Sequence, residues 1–128
     1  MVPASWVIGI GEDFSANAPN NGPSLGGSAY RIKRRPPLAE FSNARYQGVL
    51  NMGIYTQVGE ERALTASGGV VREYQGTWPG DNFITYYVIA CKNAKEIYAC
   101  LSLVTSKTDY NANRVFYEKI LSTFEIHP

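Results

Sequence analysis

A chain of 128 residues with 45% hydrophobic and 18% charged residues is expected to form one soluble domain over 1–128, able to bury a core without metal or disulfide help. Twelve Lys and Arg stand against eleven Asp and Glu, a net charge of +1, so no global field favours nucleic acid or an anionic membrane. No run of about 18 apolar residues offers a membrane span, and Met1 to Trp6 lacks the basic start and apolar stretch of a signal peptide.

In chain order, Trp6 to Ile10 is a short apolar run expected to be a strand. Gly11 to Gly27 gathers Asn, Pro and Gly and reads as a long loop, with Phe14 and Leu25 as its only large apolar residues. Ser28 to Lys33 alternates small or apolar with polar residues, a half-exposed strand. Pro36-Pro37 stops it and can open a helix. Leu38, Phe41, Gly48, Val49 and Met52 share one side of that helix, which ends near Asn51-Met52-Gly53. Gly48 inside it costs about 1 kcal/mol against alanine, so either the helix is weakened there or something packs closely on it. Ile54 to Val58 is a short strand, Gly59-Glu60-Glu61-Arg62 a charged turn, Ser67-Gly68-Gly69 another turn, and Val70 to Trp78 a strand ending at Pro79-Gly80-Asp81.

Phe83 to Cys91 is apolar or aromatic on both alternating faces, as in a strand covered on both sides. Lys92 to Lys95 is polar enough to turn the chain into a second strand, Glu96 to Thr105. A loop that pairs Cys91 with Glu96 sets Cys100 opposite Tyr87, about 13 Å of strand away from Cys91. Both cysteines are then expected to be buried thiols and not a bridge. From Asn111 to Phe124 the residues Phe116, Tyr117, Ile120, Leu121 and Phe124 form a wide apolar stripe, with Asp109 or Asn111 as cap. Two helices around an antiparallel sheet make an α+β domain.

Chemistry-bearing motifs are scarce. His127 is the only histidine, so neither a zinc cluster of usual spacing nor a Ser-His or Cys-His pair has its parts. Gly9-Ile10-Gly11 lacks the setting of a dinucleotide fingerprint, and no Gly-Lys-Ser/Thr supplies a phosphate loop. No cofactor is expected. Glu60-Glu61 carries too few oxygens for a tight calcium site. Tyr86, Tyr87, Tyr98 and Trp78 either line a pocket or fill the core, with packing the better reading. The one charge cluster is Arg31-Ile32-Lys33-Arg34-Arg35, which could contact phosphate or an acidic partner or resemble a nuclear import patch; without interleaved aromatics or overall basicity, a strand end with solvated cations is the better reading. Arg31, Lys33, Arg34, Arg35 and the loop residue Phe14 are the candidate partner-binding residues.

Pro3-Ala4-Ser5-Trp6, Pro36-Pro37-Leu38-Ala39-Glu40-Phe41 and the ending Tyr117-Glu118-Lys119-Ile120-Leu121-Ser122-Thr123-Phe124-Glu125-Ile126 resemble the PsbP-like superfamily (Mog/PsbP/DcrB-like domains). The resemblance follows the order of elements over nearly the whole chain, through short motifs made mostly of core residues. It implies an α/β/α sandwich with a central antiparallel sheet. Members include photosystem accessory proteins, a nuclear factor that binds the Ran GTPase, bacterial lipoproteins and chaperones of secretion effectors, mostly binders and not enzymes. No functional residue carries over position by position. In such domains Pro-x-x-Trp follows a first strand that is missing here, so the chain is expected to be a naturally short form or to lack upstream residues. As written it reads as cytoplasmic; a truncated start leaves export or a lipid anchor open.

The leading expectation is a non-enzymatic module that recognises a protein or peptide through a sheet face or the Gly11–Gly27 loop. The rival is a small-ligand binder or cofactor-free enzyme with a pocket between curved sheet and helix, where a carboxylate such as Asp81 acts as base. Homodimerisation through a sheet edge or aromatic face is compatible with both.

Overall fold

The two most apolar stretches pair with each other. In the computed structural model, β6 (Thr85–Ala94) and β7 (Ile97–Ser106) form an antiparallel hairpin at the centre of a six-stranded sheet. Residues 7–9, 13–17, 23–64 and 68–127 are described, with side chains for 23–64 and 68–124. The remaining elements are β1 (Val7–Gly9), β2 (Asp13–Asn17), β3 (Ser24–Arg31), α1 (Leu38–Leu50), β4 (Thr56–Leu64), β5 (Gly69–Gly76), α2 (Lys107–Ala112), α3 (Arg114–Thr123) and β8 (Glu125–His127). The sheet order is β2-β3-β7-β6-β5-β4, every neighbour antiparallel, while β1 and β8 pair in parallel as a separate two-stranded unit.

Strand alternation sends successive side chains to opposite faces, and each face has its own helical cover. Phe41, Tyr46 and Val49 of α1 pack on Tyr74, Ile89, Cys91, Tyr98 and Cys100. On the other face Tyr110, Tyr117, Ile120, Leu121 and Phe124 cover Val71, Tyr86, Val88, Ala90, Leu101 and Leu103. This is an α+β domain with a central antiparallel sheet between helices. No helix among the described residues is long and apolar enough to cross a membrane.

The hairpin register overturns the reading of the cysteines. Lys92, Asn93 and Ala94 continue β6, and only Lys95-Glu96 turn the chain, with Lys95 in the left-handed region at φ 56°. Shortening the turn slides the pairing so that Cys91 lies directly opposite Cys100. Their Cα atoms are 4.1 Å apart and the sulfurs are bonded at 2.04 Å, a buried cross-strand disulfide. The polarity of Lys92 and Asn93 belongs to a strand end and not to a turn; the Lys92 ammonium donates to the Phe124 carbonyl.

Other boundaries shift for local reasons. Much of the expected Gly11–Gly27 loop is strand: Asp13–Asn17 pairs with Ser24–Ser28, glycine and serine giving no pattern by which to see it. The charged stretch Gly59–Arg62 is a β-bulge inside one nine-residue edge strand, with Gly59 at φ 71°. The last helix begins earlier and in two pieces. The Ser106 hydroxyl caps α2 by accepting from the Asp109 N–H at 3.1 Å, and the helix breaks at Asn113 before α3. Asp109 accepts from the hydroxyls of Thr105, at 2.6 Å, and Tyr117, so its carboxylate holds the core and not the cap. In α1, Tyr46 completes the buried stripe, whereas Met52 lies beyond the helix and is exposed.

Candidate binding groove

The helix-covered face is incompletely covered. α1 packs over β5, β6 and β7, and toward β3 the sheet surface turns small: Gly26 and Ser28 on β3, Ser102 on β7. Small side chains cannot reach up to the helix, so a groove of about 460 Å³ opens between them and the helix flank formed by Arg45, Gly48, Val49 and Met52. Tyr87, Ile89 and Cys100 of the central hairpin also line it. A Cβ built on Gly48 meets nothing within 4 Å, so the glycine opens the groove and nothing packs against it.

The groove has an apolar lip and one charge. Tyr30, Leu50 and Met52 are large apolar residues left well exposed on the β3 and α1 side. Arg45 lays its guanidinium over the rings of Tyr30 at 5.0 Å and Phe41 at 4.7 Å. The buried Nε of Arg45 has no hydrogen-bond partner. A guanidinium is a planar donor suited to carbonyl or carboxylate oxygens, so the groove offers apolar surface together with an unused donor. No carboxylate or histidine lines it among the described residues.

The acids lie elsewhere. Glu73, on the opposite face, accepts from the Tyr86 hydroxyl at 2.6 Å and from Arg62 at 3.3 Å, with Arg114 at 3.4 Å, a cross-brace between β4, β5, β6 and α3. Burial pushes the Tyr86 phenol well above its ordinary range, and the hydrogen bond to Glu73 adds to it. Glu61 pairs with Arg72 at 3.5 Å. Asp81 is exposed in the β5–β6 connection. No three His, Cys, Asp or Glu side chains among the described residues come together as a metal site.

The residues singled out in the sequence fall away from this groove. Arg31, Lys33, Arg34 and Arg35 sit at the end of β3 and in the turn before α1, exposed, with Arg31 paired to Glu96 and Arg34 to Glu40 at 2.6 Å. Phe14 lies in β2 opposite Gly27, and its side chain is outside the described residues. Of the four aromatics weighed as pocket lining, Tyr86 and Tyr98 are core, Tyr87 lines the groove, and Trp78 is exposed. Sequence reasoning missed Arg45 and Ser102; the glycine inside the helical stretch was the one sign of the opening.

No family model matches the chain, and no curated protein matches it. Among solved structures, the crystal structure of PA94 from Pseudomonas aeruginosa, a protein of unknown function suggested to be a regulator, matches with a TM-score of 0.61. The match covers 91% of this chain and 83% of that one at 14% identity. What the two proteins share is the fold.

Proposed function

We propose that the chain is a non-enzymatic binding module of the PsbP-like kind, which holds an apolar segment of a protein or peptide in the groove beside α1. The observation that carries this reading is the groove itself: small residues on its floor, exposed Met52 and Tyr30 at its lip, and an Arg45 donor with no partner. A peptide laid there buries apolar surface, at roughly 25 cal/mol per Å², and turns a backbone carbonyl or carboxylate toward Arg45. Among the described residues no acid or histidine lines the groove, which weighs against general acid–base work at this place.

Gly48→Trp is the direct test. The helix gains propensity, and the indole projects into the groove from a position where a Cβ meets nothing within 4 Å. Partners cross-linked to the wild-type protein in extracts of its native host are identified, and the segment in contact is titrated against both proteins. Loss of binding in a normally folded Gly48→Trp variant supports the reading. Equal binding overturns it, and a small molecule that co-purifies with wild type and is displaced by the indole favours a ligand pocket instead.

A further inference from the structure

We propose that the cavity between the β3–α1 turn and the tip of the β6–β7 hairpin is a separate site for an acidic peptide, with Arg35 and Lys95 as its anion-binding pair. The cavity measures about 400 Å³ and is lined by Arg31, Arg35, Ala94, Lys95, Glu96 and Ile97. Arg31 pairs across the ladder with Ile97, and Tyr30 with Tyr98. Strand alternation therefore turns Arg31 and Ile97 away from the face that carries the α1 groove. The proposal does not depend on what that groove binds.

Backbone bonds hold the two walls together. The Ile32 N–H donates to the Glu96 carbonyl at 2.7 Å, and the Arg35 N–H closes the turn on the Ile32 carbonyl at 3.1 Å. Arg31 is neutralised by Glu96, and Arg34, nearby in the turn, by Glu40. Arg35 and Lys95 have no ion-pair or hydrogen-bond partner for their side chains among the described residues, and nor does Lys33 beside them. The wall thus has two uncommitted cations facing one opening.

Their backbone conformations make the placement informative. Arg35 at φ 50° and Lys95 at φ 56° are the only non-glycine residues with positive φ among the described residues. That region is costly for a residue with a long side chain, and glycine or asparagine takes it with less strain. As turn formers alone, both positions would be better served by asparagine. What the two cations add is charge on the same cavity, and strain of this kind collects at binding sites.

The chemistry of the wall selects among anions. Ala94 and Ile97 give the cavity an apolar side, for which a free phosphate has no use. Among the described residues no aromatic ring lines it to stack a nucleobase. A carboxylate next to an aliphatic side chain meets both halves, the carboxylate on Arg35 and Lys95 and the aliphatic group on Ile97.

The test uses the full chain and a fluorescein-labelled hexapeptide of alternating leucine and glutamate, with the leucine–glutamine peptide as its uncharged counterpart. Fluorescence anisotropy is read for wild type, Gly48→Trp and the Arg35→Asn/Lys95→Asn double variant, alongside thermal unfolding. The acidic peptide is expected to bind wild type and Gly48→Trp alike and to lose about tenfold or more in the asparagine variant. That variant is expected to melt at the same or a higher temperature, because asparagine relieves the turns. A lower melting temperature assigns the cations to the turns and overturns the proposal. So does equal binding of the glutamine peptide, or retained binding in the asparagine variant. Displacement of the peptide by inorganic phosphate or a thymidine oligonucleotide at equal concentration overturns it as well, leaving only a general anion site.

Discussion

Tyr110 has a ring that is fully used and a hydroxyl that is not. The ring stacks against Tyr86 at 4.7 Å and Tyr117 at 5.9 Å, and the Arg114 guanidinium lies over it at 5.0 Å. The residue is wholly buried and its hydroxyl has no partner. A buried unsatisfied hydroxyl costs about 1–3 kcal/mol, so Tyr110→Phe is expected to stabilise the fold by about 1 kcal/mol in denaturant unfolding. Burial, reinforced by the Glu73 charge, pushes the Tyr110 phenol up to about 12. Because an unfolded phenol titrates at about 10, the folded state keeps a proton that the unfolded chain loses between those values. Stability is therefore fully present below about pH 10 and falls as pH rises toward 12. Tyrosinate absorbance followed together with circular dichroism should show unfolding and phenol ionisation in one transition, shifted to higher pH in Tyr110→Phe.

None of this was legible from composition. Tyr110 lies just before the stretch read as helix, and nothing in the residues around it says that its ring joins a stack of three. The cysteines show a related limit at the same scale. Their burial was readable from the apolar run, but their bond depends on whether Cys91 or Tyr87 stands opposite Cys100, and Lys92-Asn93 mimics a turn.

At the scale of elements, the disulfide and the close contacts of glycine set the hairpin and its neighbour. Cys91 and Cys100 are nine residues apart, and closing so short a loop stabilises by about 2–3 kcal/mol on chain-entropy grounds. Denaturant unfolding with and without reductant should show that difference, and an unchanged midpoint would mean that the pair is not bonded in solution. At the end of β5, a Cβ on Gly76 would stand 2.1 Å from the Ile54 carbonyl oxygen, which is backbone and cannot swing aside. Gly76→Ala is expected to cost about 1–3 kcal/mol through displacement of the entry to β4. Gly48→Ala, in open space on α1, should gain about 1 kcal/mol. The helix entry at Pro36-Pro37, the long strands and the apolar stripe of the last helix were visible as patterns of period two or three to four, except that Phe116, read as part of that stripe, is exposed. The β2–β3 pairing and the β4 bulge were not, since glycine, serine and charged residues at a sheet edge carry the chemistry of loops.

At the scale of the molecule, two-sided burial of the central hairpin already required helices on both faces, and that requirement decided the architecture. What it left open was how completely each face is covered. Tyrosine, isoleucine and leucine fill the face under α2 and α3, while the α1 face ends in Gly26, Ser28 and Ser102. The groove arises from that imbalance between distant segments, so no single stretch announces it. The basic cluster was visible in the sequence, but the partner position Lys95 was not, because it comes from a hairpin about sixty residues further on, at the end of β6.

The groove beside α1 is the place where we propose that this protein holds its partner. The measurement that tests it most directly is the affinity of one identified partner segment for wild type and Gly48→Trp, both shown to be folded by thermal unfolding. The expected result is loss of binding by at least about tenfold, or about 1.4 kcal/mol, with the melting temperature kept. Equal affinity for the two proteins would contradict it.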